Sequence, residues 1–457
     1  MRHVAVAIVL LVLSVCVLAA QTMPIDALNW AARGAFLLLC AVSLAGATIR
    51  EWVLSAAAVA LAVVLTRKGA TETIWAGLDL AAYFAAFILL LTALKIAAER
   101  SNSVLSVGRF LIRQPANTRF IATASGGHVL GVFLNFGAIS LMAPLIQNAA
   151  RNDDGTVDSQ IERRQLSALL RGFAWILLWA PTTLAQAVLL TLFTEIDLGK
   201  IIAVGLLTSV LMMLLGLVYD RIEWRNITTP QRPVSPLPRR HVFKLAVVCS
   251  TLIVCTAALQ VSSGYSTALS LMFVAPVVTV IWYAAQRSAP IAVTTHLRTF
   301  WPALIDDAAG LARSAIALGL SGFIGRTMAE VVPVEPILAH IDLAAVPGWL
   351  FLAALPVLIT IGGQIALSPI ILVVFIGQVV QMVPILPAEP THIVFALSAG
   401  WAISMFASPN ATATLLISAT TRIPPTRLTW GWNLRYGLLA YLGLVCIFAM
   451  LEAGAFG

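Results

Sequence analysis

Gly400-Trp401-Ala402-Ile403-Ser404-Met405-Phe406-Ala407-Ser408-Pro409-Asn410-Ala411-Thr412 lies in the middle of an apolar run, residues 391–420, and interrupts it. Pro409 removes a backbone donor, and Asn410 brings an amide into a stretch that otherwise reads as buried in lipid. An earlier stretch carries the same pattern. Gly172-Phe173-Ala174-Trp175 leads to Pro181-Thr182-Thr183 and Ala185, just as Gly400-Trp401-Ala402-Ile403 leads, at one constant offset, to Pro409-Asn410-Ala411 and Ala413. A second pair lies upstream: Asn135-Phe136-Gly137 before Ser140 and Pro144, and Gly362-Gly363-Gln364 before Ser368 and Pro369. Alanine and leucine identities recur by chance between apolar segments. Glycine, proline and amides carry the match, because they destabilise a lipid-buried helix unless something uses them.

The composition agrees that lipid is the solvent. Of 457 residues 60% are hydrophobic and 11% charged, where soluble domains carry about 25% charged residues. At about 20 apolar residues per span this inventory sets a ceiling of roughly a dozen spans. The expected fold is an all-α polytopic membrane protein, which excludes a soluble enzyme, a secreted disulfide scaffold and a nucleic-acid-binding domain. The net charge of +8 reports basic loops on the cytoplasmic side. Cys16, Cys40, Cys249, Cys255 and Cys446 all sit in apolar runs without CxxC spacing, so they read as small core hydrophobes and not as a metal site.

Along the chain, the run His3 to Ala20 is an ordinary first span or, as the alternative, a cleavable signal peptide with Ala19-Ala20 at its end. Runs follow at 31–49, 52–66 and 71–97. The segment 95–119, with Arg100, Arg109 and Arg113 among Leu105, Phe110 and Ile112, suits a helix lying in the interface. After the runs 119–148, 166–192 and 198–219 comes a polar segment, 220–244. It holds Pro230, Pro233, Pro236 and Pro238 with Arg232, Arg239 and Arg240, the mark of a cytoplasmic linker. It parts a first transmembrane half, 1–219, from a second, 245–457. Further runs cover 245–261, 266–284, 311–328 and 433–453, with Trp430 and Trp432 as interfacial anchors before the last. The runs 347–383 and 391–420 are each one span, two, or a re-entrant hairpin, for a total of about 11–13 crossings at the span length above.

Paired interruptions in two related halves point to the binding site of a secondary transporter. A helix broken inside the membrane frees N–H groups at one end and C=O groups at the other; the first attract anions and the second cations. Ser408, Asn410 and Thr412 resemble the Ser-Asn-Thr hairpin tips of the ion transporter superfamily, which includes divalent anion/sodium symporters and citrate and arsenite carriers. Here Pro409 and Ala411 are inserted, and Pro181-Thr182-Thr183 takes the corresponding place in the first half. The resemblance implies inverted halves, hairpins meeting near the midplane, coupling to Na⁺ or H⁺, and a homodimer. The candidate substrate and ion-binding set is Ser408, Pro409, Asn410, Thr412, Gln364 and Ser368 in the second half, with Pro181, Thr182, Thr183, Asn135, Gly137 and Ser140 in the first.

Each of these has a purely structural alternative, since hydroxyls satisfy their own helix backbone and amides bridge neighbouring helices. His128, beside Gly126 and Gly127, reads as a packed neutral histidine, with a coupling-proton carrier as the sharper alternative. Arg326 and Glu330 stand four apart and read as a pair. Asp79, inside an apolar run, is a functional candidate by default. The expected function is a secondary transporter of a small anionic solute in the membrane of a bacterial cell, with no cofactor beyond the coupling ion. Its partners would be lipid, the solute and a second copy of the chain, with no nucleic acid. The alternatives are a membrane-embedded enzyme acting on a lipid-linked substrate, and a channel or non-catalytic translocase subunit. Reporter fusions at Asp154 and Pro236 are expected to report the cytoplasm by the positive-inside rule; a periplasmic signal from Pro236 would reverse the orientation.

Overall fold

The computed structural model describes residues 2–454 apart from 24, 44–45, 100, 116, 152–154, 194–195, 226–235, 287–299, 333–344, 366 and 384. The architecture is helical, with no strand among the described residues. Four long helices come first: α1 (Arg2–Thr22), α2 (Asp26–Ser43), α3 (Ile49–Lys68) and α4 (Thr71–Glu99). The sequence shows why α3 has sharp ends. Thr48 donates its backbone N–H to the Glu51 carboxylate at 2.7 Å, a capping box, and Gly69 closes the helix in the left-handed conformation at φ +74°. Next, α5 (Asn102–Ile112) buries Val104, Val107 and Ile112 and exposes Arg109, as an interfacial helix should.

Two irregular pairs follow, and they set the plan of the molecule. α6 (Arg119–Leu134) and α7 (Gly137–Ala150) form a helical hairpin that turns at Asn135-Phe136. α8 (Ser159–Ala174) tightens into a 3₁₀ turn, Trp175–Leu178, breaks at 179–183 and resumes as α9 (Leu184–Leu192). The long helices α10 (Leu198–Glu223), α11 (Arg239–Ser263), α12 (Thr267–Ala285) and α13 (Phe300–Val331) come between. The same succession then recurs. α14 (Gly348–Gln364) and α15 (Pro369–Gln381) form a hairpin; α16 (Pro390–Ala407) breaks at 408–411 and resumes as α17 (Thr412–Thr421). A π-helical turn, Arg427–Gly431, leads into α18 (Leu434–Glu452).

Seven segments among the described residues are long and apolar enough to cross a membrane, one of them the interrupted stretch Pro390–Thr421. The chain is a polytopic membrane protein. The two runs left open by their hydropathy are both divided: 347–383 is a hairpin and 391–420 a broken helix. Helix also enters both ends of the polar segment 220–244, since α10 continues to Glu223 and α11 starts at Arg239. Arg164 pairs there with Asp220 at 2.7 Å and Arg163 with Glu223, tying the start of α8 to the end of α10.

Packing repeats between the halves as the element order does. α6 runs along α8, and α14 along α16; α7 packs on α17, and α15 on α9. Close approach in the first type of contact rests on the matched glycines. A Cβ at Gly172 would stand 2.0 Å from the Ala124 carbonyl oxygen, and one at Gly400 would stand 2.8 Å from Pro356 Cα. Small residues let helices in lipid approach until backbones touch, and Gly172 and Gly400 do that for their own hairpins. Around this centre, α4 packs on α13, which also meets α1, α2 and α3.

Several expectations change here. Cys16, Cys40 and Cys249 are half-buried and packed against the core, whereas Cys255 and Cys446 are exposed; in lipid an apolar run does not tell inside from outside. Trp432 is buried rather than interfacial, whereas Trp430 is exposed. Arg326 and Glu330 form no ion pair in the structure despite their spacing, and Glu330 is exposed; the side chains of Asp306 and Asp307 lie outside the described residues. Asp79 is bound bidentately by Arg33, at 2.6 and 2.7 Å, with the guanidinium against the Trp30 and Trp75 rings. That accounts structurally for a carboxylate in this run. The glycine contact is directly testable. Gly172→Ala should cost about 3 kcal/mol through helix separation and lower the melting temperature of the purified protein. Gly34→Ala, where nothing lies within 4 Å, should leave it unchanged or raise it slightly.

Candidate functional site

Each interrupted helix frees backbone carbonyls that need donors. In the first half Gln186, third residue of α9, turns back across the break. Its Nε2 donates to the Leu177 and Leu178 carbonyls at 2.8 and 3.0 Å and reaches the Ser398 hydroxyl on α16 at 2.9 Å. In the second half Thr414, third residue of α17, donates to the Met405 carbonyl at 2.9 Å. Gln186 and Thr414 stand at the same constant offset as the matched glycines and prolines, and so do Leu177 and Met405. Both side chains are fully enclosed. Thr183 ends the first break by accepting from the Gln186 amide and donating to the Ala180 carbonyl.

Each hairpin is then fastened to its break. In the first half Thr182 donates to the Val132 carbonyl at 2.6 Å, and Trp179 Nε1 donates to His128 Nε2 at 3.0 Å. In the second half the Gly363 carbonyl accepts from Ser408 at 2.6 Å and from Asn410 Nδ2 at 3.1 Å. Asn410 Nδ2 also reaches the Gln364 carbonyl at 3.2 Å. Gln364 returns a bond to the Ala407 carbonyl and accepts one from Trp430 Nε1 at 3.0 Å. These bonds fasten the second cluster, although Asn410 itself is exposed.

The first-half hairpin tip instead borders a cavity of about 340 Å³. Its polar lining is Asn135, Ser140, Thr182, Ser314 and Thr412; Phe87, Leu91 and Leu94 of α4 and Leu416 of α17 supply an apolar wall. No charged side chain is among the described lining residues. Three helices begin at its wall: α7 at Gly137, α9 at Leu184 and α17 at Thr412. Of these, α17 lacks a side-chain cap, so its first amides are open to another acceptor, whereas at α7 the Ala138 and Ile139 amides already donate to the Asn135 and Phe136 carbonyls. Each helix start presents up to about half an elementary positive charge. Asn135 sits at φ +50°, ψ −129°, a conformation that costs a non-glycine residue about 1–3 kcal/mol, and its buried Oδ1 has no hydrogen-bond partner in the structure. Chemically, the helix starts and hydroxyls offer donors to an acceptor, and Asn135 Oδ1 offers an acceptor to a donor or a cation.

The twelve residues expected from the sequence are therefore divided. Asn135, Gly137, Ser140, Thr182 and Thr412 border the cavity. Ser408, Asn410 and Gln364 make the second cluster. Pro181, Thr183 and Pro409 shape the breaks, and Ser368 stands at the start of α15 without a capping bond. The Ser-Asn-Thr resemblance is split by its inserted residues: Ser408 and Asn410 face the second hairpin while Thr412 faces the first. Gln186 and Ser398 were missed, although the offset that matches Pro181 to Pro409 would have found Gln186 opposite Thr414. Arg326 is not among the described lining residues of the cavity.

No protein-family profile matches the chain, and no curated protein matches it in sequence. Solved structures share its fold. The YdaH transporter of Alcanivorax borkumensis, described as having an unusual topology, superposes with a TM-score of 0.53 at 15% identity, over 92% of this chain and 98% of that one. MtrF of Neisseria gonorrhoeae, described with a class of antimetabolite efflux pumps, gives 0.52 at 13% identity, over 84% and 85%. At such identities the likeness is one of fold. The donors across the breaks can be weighed independently of function. Gln186→Ala, which strands two buried carbonyls, should destabilise by about 1–3 kcal/mol, measured as a lower melting temperature in detergent. Thr414→Val, which strands one, should cost less than Gln186→Ala; equal stability of both variants and the parent would refute the bridging role.

Proposed function

We propose that the protein is a secondary active transporter that moves a small anionic solute across the cell membrane, the inner membrane of a bacterium, in exchange for or together with Na⁺ or H⁺. We read its halves, 1–219 and 245–457 joined by the 220–244 linker, as an inverted internal repeat, and the working unit as a homodimer. The observation that carries the reading is the meeting of three helix starts at one cavity, with no charged side chain among its described lining residues, bordered by elements from both sides of the linker. Such a site favours an anion without a fixed charge that would hold it too tightly to release. The fold shared with YdaH and MtrF supports transport at the level of architecture, and favours a carrier over an enzyme. The membership in the ion transporter superfamily that the Ser408-Asn410-Thr412 resemblance implies belongs to the same proposal.

The test is uptake by proteoliposomes of radiolabelled carboxylates and oxyanions under imposed Na⁺ or H⁺ gradients. One solute should accumulate above equilibrium only with a gradient. Asn135→Gly keeps the backbone conformation and removes the unpartnered Oδ1; it should lower the initial rate at least tenfold with melting unchanged or improved. Asn410→Ala, which unfastens the second hairpin, should also abolish uptake. Full transport by both variants would remove the site, and gradient-independent flux would make the protein a channel.

A further inference from the structure

His128 is engaged through both ring nitrogens. The indole N–H of Trp179 can only donate, so His128 Nε2, 3.0 Å away, accepts. The other nitrogen, Nδ1, lies 3.0 Å from the Gly172 carbonyl oxygen and must therefore carry the hydrogen and donate. One neutral tautomer satisfies both bonds. The imidazole is buried and lies nearly parallel to the indole, with ring centres 5.8 Å apart. Its partners belong to separate elements: His128 is on the hairpin helix α6, Gly172 on α8, and Trp179 in the break. One turn along α6, the Val132 carbonyl accepts from Thr182, the second bond between hairpin and break, and Val132 and Thr182 both border the cavity.

We propose that His128 is the proton-binding site of the coupling mechanism and that a proton added to its Nε2 releases Trp179 and with it the first-half break. This rests on reading the chain as an ion-coupled transporter, and it names the ion as H⁺. The added proton passes from a hydronium ion: one O–H bond breaks and leaves a water molecule, one N–H bond forms at Nε2, and the imidazole becomes an imidazolium. It converts the acceptor facing Trp179 into a donor, and two N–H groups cannot share a 3.0 Å contact. The bond from Nδ1 to Gly172 survives and gains charge assistance, so the hairpin stays on α8 while the break is let go. The proton therefore binds only where Trp179 has moved, and by linkage it shifts the population toward such conformations.

Among the described residues no other ionisable group contacts this imidazole. On α8, Arg171 directs its guanidinium away to Asn433 at 2.7 Å and over the Tyr436 ring, and Glu162 accepts from Gln147. On α10, Asp220 and Glu223 pair with Arg164 and Arg163. On α4, Asp79 pairs with Arg33, and on α5, Arg109 is exposed.

Hydrogen exchange of the full chain in lipid nanodiscs, corrected for the intrinsic pH dependence, reads the break without a solute. The amides of Trp179, Ala180, Thr183 and Ala187 are bonded across or beside it. Their protection should fall at least tenfold from pH 7.5 to pH 5.5 in the parent. His128→Gln, which offers Trp179 an acceptor that does not titrate, should hold the same protection at both pH values. Trp179→Phe should be weakly protected at both. A parent that does not respond, or a pH response that persists in either variant, overturns the proposal; Trp179→Phe decides the matter should His128→Gln fail to fold. An unresponsive break with working uptake counts against His128 alone, whereas a responsive break without uptake counts against the transporter reading.

Discussion

A helix interrupted inside an apolar surrounding must find partners for the backbone groups its interruption frees, because neither lipid nor packed hydrocarbon supplies any. An unmet carbonyl there costs several kcal/mol. The organisation of this chain follows from meeting that demand twice. Gln186 and Thr414 reach back across their own breaks, and Thr182, Ser408 and Asn410 reach sideways to a hairpin. The glycines at 172 and 400 then let each hairpin lie close enough for those short side chains to span the gap. Remove the breaks, and neither the hairpins nor the close helix contacts have a reason to exist.

The two answers differ in one respect. In the second-half cluster Ser408, Asn410, Gln364 and Trp430 are bonded to one another or to neighbouring backbone, with Asn410 and Trp430 exposed. The first-half tip leaves Asn135 Oδ1 unpartnered, in a backbone conformation that an asparagine adopts only under constraint. That acceptor shares its cavity with the uncapped start of α17. The two hairpin-and-break units thus differ in how their polar groups are engaged.

Much of this could be read from the residues, and the parts that could not have physical causes. Paired glycine, proline and amide positions disclosed the breaks and hairpins because those residue types are costly in lipid and so rarely accidental. Gln186 escaped notice because its counterpart is a threonine; the shared property is a donor at a given height, and residue identity does not encode height. The bond from Trp179 to His128 and the pair of Arg33 with Asp79 join residues far apart in the chain, and no local pattern announces them. Cys255, Cys446 and Trp432 were misplaced for another reason. Apolar character marks burial only when water is outside, so hydropathy locates a helix in lipid without saying which of its faces is covered.

The crossed contacts of the hairpins bear on how the molecule is made. α7 lies on α17, and α15 lies on α9, so each returning helix has its seat in the other half. As the ribosome delivers the chain, α6 to α9 enter the bilayer long before their seats exist. Their turns and polar side chains then have only each other, or a chaperoning insertase, to lean against. Maturation becomes a single late event, when α14 to α17 arrive and both hairpins dock together. A chain ending after the linker would lack both α17, the seat of α7, and α15, the partner of its own break helix α9.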